Sequence, residues 1–141
     1  MELVNCTEKY WEFVRKLRMD PRVEKGFVER NKITKKMQIE YMKKHSIFYR
    51  VAVVEVIDEQ KKIKKPAGFV GVIDNDIRVC THPNYQRMGV GKFMINSAMK
   101  IWPNATSKIK IENKASLKLF ESCGFKKKYY IMEQKNKTQE K

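Results

Sequence analysis

Apolar positions in the first 45 residues recur with the period of helices. After a short strand predicted at residues 1–5, they lie three or four positions apart, at Tyr10, Trp11, Val14 and Leu17. This spacing predicts a helix that begins after an N-cap at Thr7 and ends near Met19, ahead of the Asp20-Pro21 pair. A second helix, with a thinner apolar face, is predicted from Thr34 to His45.

From residue 48 the pattern changes to the β-branched and aromatic runs that are typical of strands. Three strands are predicted, at Phe48–Ile57, Ala67–Ile73 and Ile77–Thr81. A polar, Lys-rich loop at residues 58–66 would join the first two, and an Asp74-Asn75-Asp76 turn would join the next two. Gly68 and Gly71 indicate a bulge or a close approach of another part of the chain.

The rest of the chain predicts alternating helices and strands. Val90 to Trp102 has helical spacing, whereas Ser107 to Glu112 alternates strictly, with Ile109 and Ile111 on one face. A short helix at residues 115–123 would end at Gly124, which suits a left-handed C-cap. A last strand is predicted at Phe125–Met132.

This order of elements predicts an α/β protein of the α+β type. Its sheet would be mixed, mostly antiparallel and twisted, with helices on both faces. The 141 residues, 42% of them hydrophobic and 33% charged, fit a single domain over residues 1–141, with a frayed polar tail from about 134 to 141. No apolar run approaches the roughly 18–20 residues of a membrane helix, and no secretory signal is recognised.

The three cysteines, Cys6, Cys80 and Cys123, are odd in number and far apart. They predict neither a disulfide framework nor a zinc site, and with only His45 and His82 beside them no metal site is expected. A reducing, cytoplasmic setting is the resulting expectation.

The formal charge is +15, from 31 basic and 16 acidic residues. A field of this sign favours anionic partners, among them nucleic acid, nucleotide sugars and coenzyme A, and disfavours polyamines. The charge is equally compatible with a solvated Lys-rich surface. The lysine clusters at 61–65 and 126–128 would also suit a basic nucleic-acid or ribosome-binding module, although no helix-turn-helix or RNP motif is present.

A glycine loop between a predicted strand and a predicted helix, residues 82–92, points to a phosphate site. Gly89 and Gly91 would let a ligand approach the backbone, and the helix start offers free N–H groups and the positive end of the dipole. Gln86, Arg87 and Lys92 add donors and charge. Neither GxxxxGK[ST] nor GxGxxG fits these residues, and a plain tight turn is the structural alternative.

The stretch HPNYQRMGVGK resembles the acetyl-CoA motif [Q/R]-x-x-G-x-[G/A] of the GNAT family of N-acetyltransferases, with Gln86, Gly89 and Gly91 at its set positions. A second stretch, NKASLKLF followed by Gly124-Phe125, resembles the family's N-x-x-[AS]-x-x-[LF]-[YF]-x-x-x-G-F. The resemblance is clear over residues 67–125, and two linked motifs are stronger evidence than either alone.

The resemblance implies a GNAT-like acyl-CoA N-acyltransferase fold and acetyl-CoA as co-substrate. The strand before the loop would splay from its neighbour, with the pantetheine in the opening along the backbone of Val79, Cys80 and Thr81. Asn113 and Ser116 would lie along the same arm. The pyrophosphate would be held beside Gln86 by the amides of Arg87, Met88, Gly89, Val90, Gly91 and Lys92.

The implied chemistry is direct attack of a neutral primary amine on the thioester. The family often has a tyrosine acid at the position of Phe120, which has no proton to donate. Tyr129 or Tyr130 could replace it, and Glu112 is the candidate base, with Glu55 second. A solvated strand residue is the alternative interpretation of each, and a non-catalytic acyl-CoA-binding protein is the alternative for the whole.

The acceptor would be lined by residues 9–48, which loosely resemble family members acting on nucleotide-linked amino sugars or on ribosomal-protein N-termini. Both acceptors suit the basic charge, because each is anionic or lies near an anionic surface. Nucleic acid is a possible but not a required partner, no membrane partner is expected, and the sequence makes no prediction of the oligomeric state.

Overall fold

A computed structural model describes residues 1–24, 26–28 and 32–135 of the chain. Its strands are β1 (Glu2–Asn5), β2 (Tyr49–Asp58), β3 (Lys61–Ile73) and β4 (Asp76–Thr81). Its α-helices are α1 (Trp11–Met19), α2 (Pro21–Glu24), α3 (Lys35–His45), α4 (Val90–Ile101) and α5 (Lys114–Ser122). Short 3₁₀ turns occur at Glu8–Tyr10, Ser46–Phe48 and Pro83–Tyr85. Among the described residues, no helix is long and apolar enough to cross a membrane.

The four strands form one sheet in the order β1-β2-β3-β4, and each neighbouring pair is antiparallel. Two-residue turns at Glu59-Gln60 and Asp74-Asn75 join β2 to β3 and β3 to β4, and all four residues have positive φ. Left-handed turns of this kind match the twist of paired strands. The loop predicted at residues 58–66 is therefore wrong, because both strands stay paired up to the tight turn while their lysines remain in solvent.

The glycines of β3 lie where other groups come close. A Cβ on Gly71 would lie 2.5 Å from the Tyr49 ring, and one on Gly68 would lie 2.6 Å from the carbonyl oxygen of Cys80. The register of β2 against β3 also shifts just after Ala52, which pairs with Gly68. The predicted bulge and the predicted close approach are both confirmed.

Helices cover both faces of the sheet. One face carries α1 and α3, whose Val14, Leu17 and Met42 are buried in a core with Tyr49 and Phe69. The opposite face carries α4 and α5, whose inward side chains form a second core: Met94, Ile95, Ala98 and Phe120. The predicted α/β class, with a mostly antiparallel sheet and helices on both faces, is confirmed.

Local capping explains where several helices begin and end. The Met37 amide donates to Thr34 Oγ1 at 3.1 Å, and α3 starts directly after this N-cap. Gly124 follows α5 with φ of +90°, as predicted for a left-handed cap. The predicted N-cap at Thr7 is wrong: a 3₁₀ turn separates Thr7 from α1, and its hydroxyl caps no described amide.

Beyond β4 the sheet opens. Thr106 forms one parallel bridge with Asp76, in which the Ile77 N–H donates to the Thr106 carbonyl at 2.8 Å. After the bridge, residues 107–112 diverge from β4 and form no strand in the described part of the chain. The strand predicted at Ser107–Glu112 is wrong, because a single bridge is not continued into a hydrogen-bonded ladder.

The last predicted strand is also missing from the described residues. Phe125 packs edge-on against Phe120, with ring centroids 5.0 Å apart. Residues 126–135 are exposed and pair with no described strand. The prediction of a strand at Phe125–Met132 is wrong, because no described strand lies beside it to bind its backbone groups. Most of the tail predicted at 134–141 lies outside the described residues.

Candidate active site

A cleft of about 160 Å³ lies where β4 and the segment 107–112 separate. Its walls come from the end of α1, residues 26–28, β4, the start of the diverging segment and α5. The lining residues include Arg18, Phe27, Arg78, Val79, Ile109, Asn113, Ser116 and Phe120. The sequence predicts an opening at the edge of this strand, and the described structure has one.

The backbone of β4 provides polar groups along this opening. The Ile77 N–H points to the open side, where it donates to Thr106. Since the direction of backbone groups repeats every second residue of a strand, Val79 turns its N–H and C=O the same way. Val79 also lines the cleft. An amide-rich ligand would therefore find partners on the edge of β4.

The loop that follows β4 turns sharply before α4. Arg87 has φ of +67°, and Gly89 has φ of +79° at the N-cap of α4. No described side chain caps this helix, and no acidic residue lies in its first turn. The first N–H groups of α4 thus face outward at the positive end of the helix dipole, where an anion is favoured. Left-handed turns of this kind form anion-binding concavities.

The two glycines of the loop have different roles in the structure. A Cβ on Gly89 would meet nothing within 4 Å, so its positive φ is what favours glycine. Gly91 lies inside the first turn of α4, and a Cβ there would lie 2.9 Å from Cδ2 of Leu119 on α5. The expectation that both glycines admit a ligand therefore fits Gly89, whereas Gly91 allows α4 and α5 to pack closely.

The remaining predicted loop residues surround this turn. Gln86, Met88 and Lys92 are exposed, and Val90 is buried in the core under α4. Thr81 is half-buried, with its hydroxyl 3.5 Å from the position that a Gly91 Cβ would take. The start of α4 and the end of β4 are therefore close together.

Cys80 is not among the residues that line the cleft. Its side chain is buried in the core between the sheet and α1. Burial, with a smaller contribution from Asp20, raises the pKa of its thiol to about 12. A thiol that holds its proton so firmly is a poor nucleophile, which favours a packing role. In the described residues, no three His, Cys, Asp or Glu side chains cluster as a metal site would require.

The start of α5 brings Asn113 and Ser116 to the cleft. Asn113 Oδ1 accepts a hydrogen bond from the Ser116 amide at 3.2 Å, which caps the helix. One turn later, Phe120 is buried and presents its ring to the same cleft. Ser116 and Phe120 lie four positions apart, so they share one face of α5.

The candidate catalytic residues lie outside this cleft lining. Glu112 is exposed and directly precedes Asn113, at the rim. Tyr129 and Tyr130 are 81% and 82% exposed in the segment after α5. Glu55 is on the far part of β2, with its carboxylate 3.8 Å from Lys62 Nζ. Of these residues, only Glu112 is next in sequence to a residue that lines the cleft.

Sequence reasoning did not single out the two arginines that line the cleft. Arg18 follows Val14 by four positions on α1, so it shares the inward face of that helix. Arg78 alternates with Val79 on β4 and therefore projects from the opposite face of the sheet. The helical and strand periods could have suggested both positions, but not that they converge on one cleft.

Comparison with known proteins identifies the family. The sequence profile of the "Acetyltransferase (GNAT) domain" matches residues 43–127, which include the glycine loop, the opening beside β4 and α5. The chain belongs to the GNAT acetyltransferase family. It is accordingly an enzyme of the acyltransferase class, and the matched region contains both motifs that suggested this family from the sequence.

Solved structures share the fold of this GNAT chain. A domain from Methanocaldococcus jannaschii DSM 2661 matches with a TM-score of 0.72 and 19% identity, over 90% of this chain and 88% of that one. Spermidine N-acetyltransferase from Vibrio cholerae, in complex with CoA and spermine, matches with a TM-score of 0.71 and 21% identity, over 94% of this chain and 85% of that one. Ribosomal-protein-alanine N-acetyltransferase from Brucella melitensis matches with a TM-score of 0.65 and 14% identity, over 89% of this chain and 85% of that one. No curated protein matches the sequence significantly.

Proposed function

We propose that this GNAT protein transfers an acetyl group from acetyl-CoA to a primary amine by direct attack. The observation that carries the proposal is the left-handed turn at Arg87 and Gly89, which exposes the first amides of α4 beside the opening at β4. The anion site suits the pyrophosphate of CoA, and the adjoining strand edge suits the amide-rich pantetheine arm.

The cofactor would lie across these two features. Its pyrophosphate would bind the amides from Arg87 to Lys92, with Gln86 alongside. The pantetheine would follow the backbone from Val79 to Thr81, facing Asn113 and Ser116 on α5. The Asn113 carboxamide uses its oxygen to cap α5, which leaves its NH₂ group as the donor for this contact.

The chemistry requires that the amine nitrogen bond to the thioester carbon while the carbon–sulfur bond breaks. Glu112, at the rim, is the proposed base, acting through water because its side chain is exposed. Phe120 cannot protonate the departing sulfur, so CoA leaves as the thiolate or takes its proton from water. Tyr129 and Tyr130 could protonate the sulfur only if the segment after α5 folds back toward the cleft. The developing oxyanion would be bound by an N–H of β4.

The acceptor remains a choice between two proposed classes. A nucleotide-linked amino sugar and the N-terminal amine of a ribosomal protein both combine a primary amine with nearby phosphate charge. Support comes from the net charge of +15 and from the arginines in the cleft. The proposed setting is the cytoplasm, in keeping with three cysteines that all carry free thiols.

The decisive experiment is a thermal-shift titration with acetyl-CoA on the wild type and on Gly89→Asp. A ligand that binds only the folded state adds about 2.7 kcal/mol of stability at a hundredfold excess over Kd. We expect a saturable rise in Tm for the wild type. The aspartate carboxylate would occupy the anion site, so the variant should show little or no rise.

Gly124→Asp is the matched control for this variant. Gly124 also has positive φ, and a Cβ there would also meet nothing within 4 Å, but it follows α5 instead of preceding α4. It should lose stability from the same backbone strain and still respond to acetyl-CoA. An unshifted wild type at millimolar acetyl-CoA contradicts the proposal, and so would equal shifts in wild type and Gly89→Asp.

A further inference from the structure

Two guanidinium groups line the cleft. Arg18 reaches it from α1, with its Cζ 5.6 Å from the centre of the Phe27 ring. Arg78 reaches it from β4, where its Nε donates to Asp76 Oδ2 at 3.3 Å. Each arginine is thus oriented by one neighbour, a ring in one case and a carboxylate in the other.

The positive charges of Arg18 and Arg78 both act on the hydroxyl of Tyr49. Tyr49 is buried under the sheet, and its hydroxyl lies 2.8 Å from that of Tyr41. Burial and the Tyr41 hydrogen bond raise the pKa of Tyr49, while the positive charges of Arg18 and Arg78 both act to lower it. The positive charges of Arg18, on α1, and Arg78, on β4, are therefore both close enough to influence the same buried hydroxyl.

The charge of the cleft is unbalanced. Arg18, Arg78 and Lys108 line it as cations, whereas Asp76 is its one acidic lining residue in the described part of the chain. Asp76 is already engaged by Arg78. A polycationic acceptor would be repelled here, because no carboxylate is left over in the lining to meet it.

We infer that Arg18 and Arg78 form an anion-recognition pair that selects acceptor amines carrying a carboxylate or phosphate group. The inference rests on the proposed acetyl transfer and specifies its substrate class. Guanidinium groups bind carboxylate and phosphate oxygens through paired, charge-assisted hydrogen bonds. The acceptor's anion would lie between the arginines, and its amine would extend along the cleft toward the thioester.

The test compares acceptors that differ only in the anionic group. Glucosamine 6-phosphate is paired with glucosamine, and 4-aminobutanoate with its amide, with spermidine as a polycation. Each is assayed for acetyl transfer with the wild type, Arg18→Gln and Arg78→Gln. We expect kcat/KM of the wild type to favour one anionic acceptor over its neutral partner by at least tenfold, and each variant to lose most of that preference. The pair that responds distinguishes phosphate from carboxylate.

Lys100→Gln is the matched control, since it removes an exposed cation from α4 outside the cleft and should keep the preference. An acetyl transfer that proceeds equally with charged and neutral acceptors, or best with spermidine, overturns the anion pair while leaving the proposed function intact. If no amine is acetylated, the proposed function fails by itself. Calorimetry then tests the anion-recognition pair by comparing the affinity of glucosamine 6-phosphate with that of glucosamine, and the affinity of 4-aminobutanoate with that of its amide. Equal affinities within both comparisons would overturn the inference.

Discussion

The two edges of β4 differ in how completely they are paired. On one side β4 forms a six-residue ladder with β3, within a sheet whose interior side chains are buried on both faces. On the other side it has a single bridge to Thr106, after which the chain diverges. The closed half, β1 to β4 with α1, α3 and α4, buries side chains on both faces of the sheet, whereas the open half, residues 107–135, keeps much of its apolar surface in solvent.

This difference shows that the capacity to form a strand and the formation of a strand are separate properties. Ser107–Glu112 has the alternation of a strand, and Tyr129 to Met132 is as apolar and aromatic as β2. In the closed half, two-residue turns place β3 beside β2 and β4 beside β3, and β1 pairs with β2 across the helices between them. In the open half, α5 separates the two strand-like segments, so no tight turn joins them as a hairpin, and a cleft remains beside β4.

The largest expected contrast between the halves is in side-chain truncation. Phe69→Ala removes a ring that is 1% exposed and should cost about 3–5 kcal/mol, since it leaves a cavity in the closed half. Ile131→Ala changes a side chain that is 74% exposed and should stay within about 0.5 kcal/mol. Urea unfolding of both variants measures this. A cost for Ile131→Ala similar to that of Phe69→Ala would mean that the segment after α5 is packed.

A medium effect is expected from adding one methyl group at a glycine. In Gly71→Ala the new Cβ would overlap the Tyr49 ring, which is held in the core, and should cost about 1–3 kcal/mol. In Gly91→Ala the Cβ meets the end of the Leu119 side chain, which can rotate away, and alanine favours a helix by about 0.5–1 kcal/mol. We therefore expect near-neutral stability for Gly91→Ala by thermal unfolding. Equal losses in the two variants would contradict a more adaptable side chain at Leu119, which lies in the open half.

The smallest contrast tests helix caps in the two halves. Thr34→Ala and Asn113→Ala each remove an N-cap side chain and should each cost about 0.5–2 kcal/mol, because capping is a local effect. Chemical denaturation compares the two losses directly. A clearly smaller loss for Asn113→Ala would indicate that α5 frays in solution.

Asn113→Ser then separates capping from cofactor binding. Serine can still cap α5. The free energy of unfolding of this variant should therefore differ from that of the wild type by only a few tenths of a kcal/mol, compared with about 1 kcal/mol for loss of the cap. Its shorter side chain has no NH₂ group, so the affinity for acetyl-CoA should fall. Wild-type affinity in Asn113→Ser would mean that this residue serves only as the cap.

The sequence predicts the closed half and the loop well because their signals are local. Glycines, turn residues and alternation give the strands around Gly68 and Gly71, and the motif at Gln86, Gly89 and Gly91 identifies the family that the profile match confirms. The loop predicted before Ala67 fails because lysines that face solvent on a paired strand look the same in sequence as lysines in a loop.

The site is predicted less completely, because it depends on what distant segments do. The positions of Arg18 and Arg78 follow from periods of 3.6 and 2, but their meeting depends on how α1 crosses the sheet. The tyrosines at 129 and 130 were assigned to a strand by composition, and no described strand lies beside them. Which strand a segment pairs with depends on residues far away in the sequence, and a local pattern does not contain that information.

The hairpin formed by β2 and β3 makes the protein tractable as a scaffold. Its turn, Glu59-Gln60, is exposed at the end of two long strands of 10 and 13 residues, and neither residue lines the cleft. Exposed turns of this kind are where chains tolerate insertions. A peptide tag or a fluorescent reporter inserted between Glu59 and Gln60 would give the protein a handle for immobilisation or tracking that leaves its chemistry undisturbed.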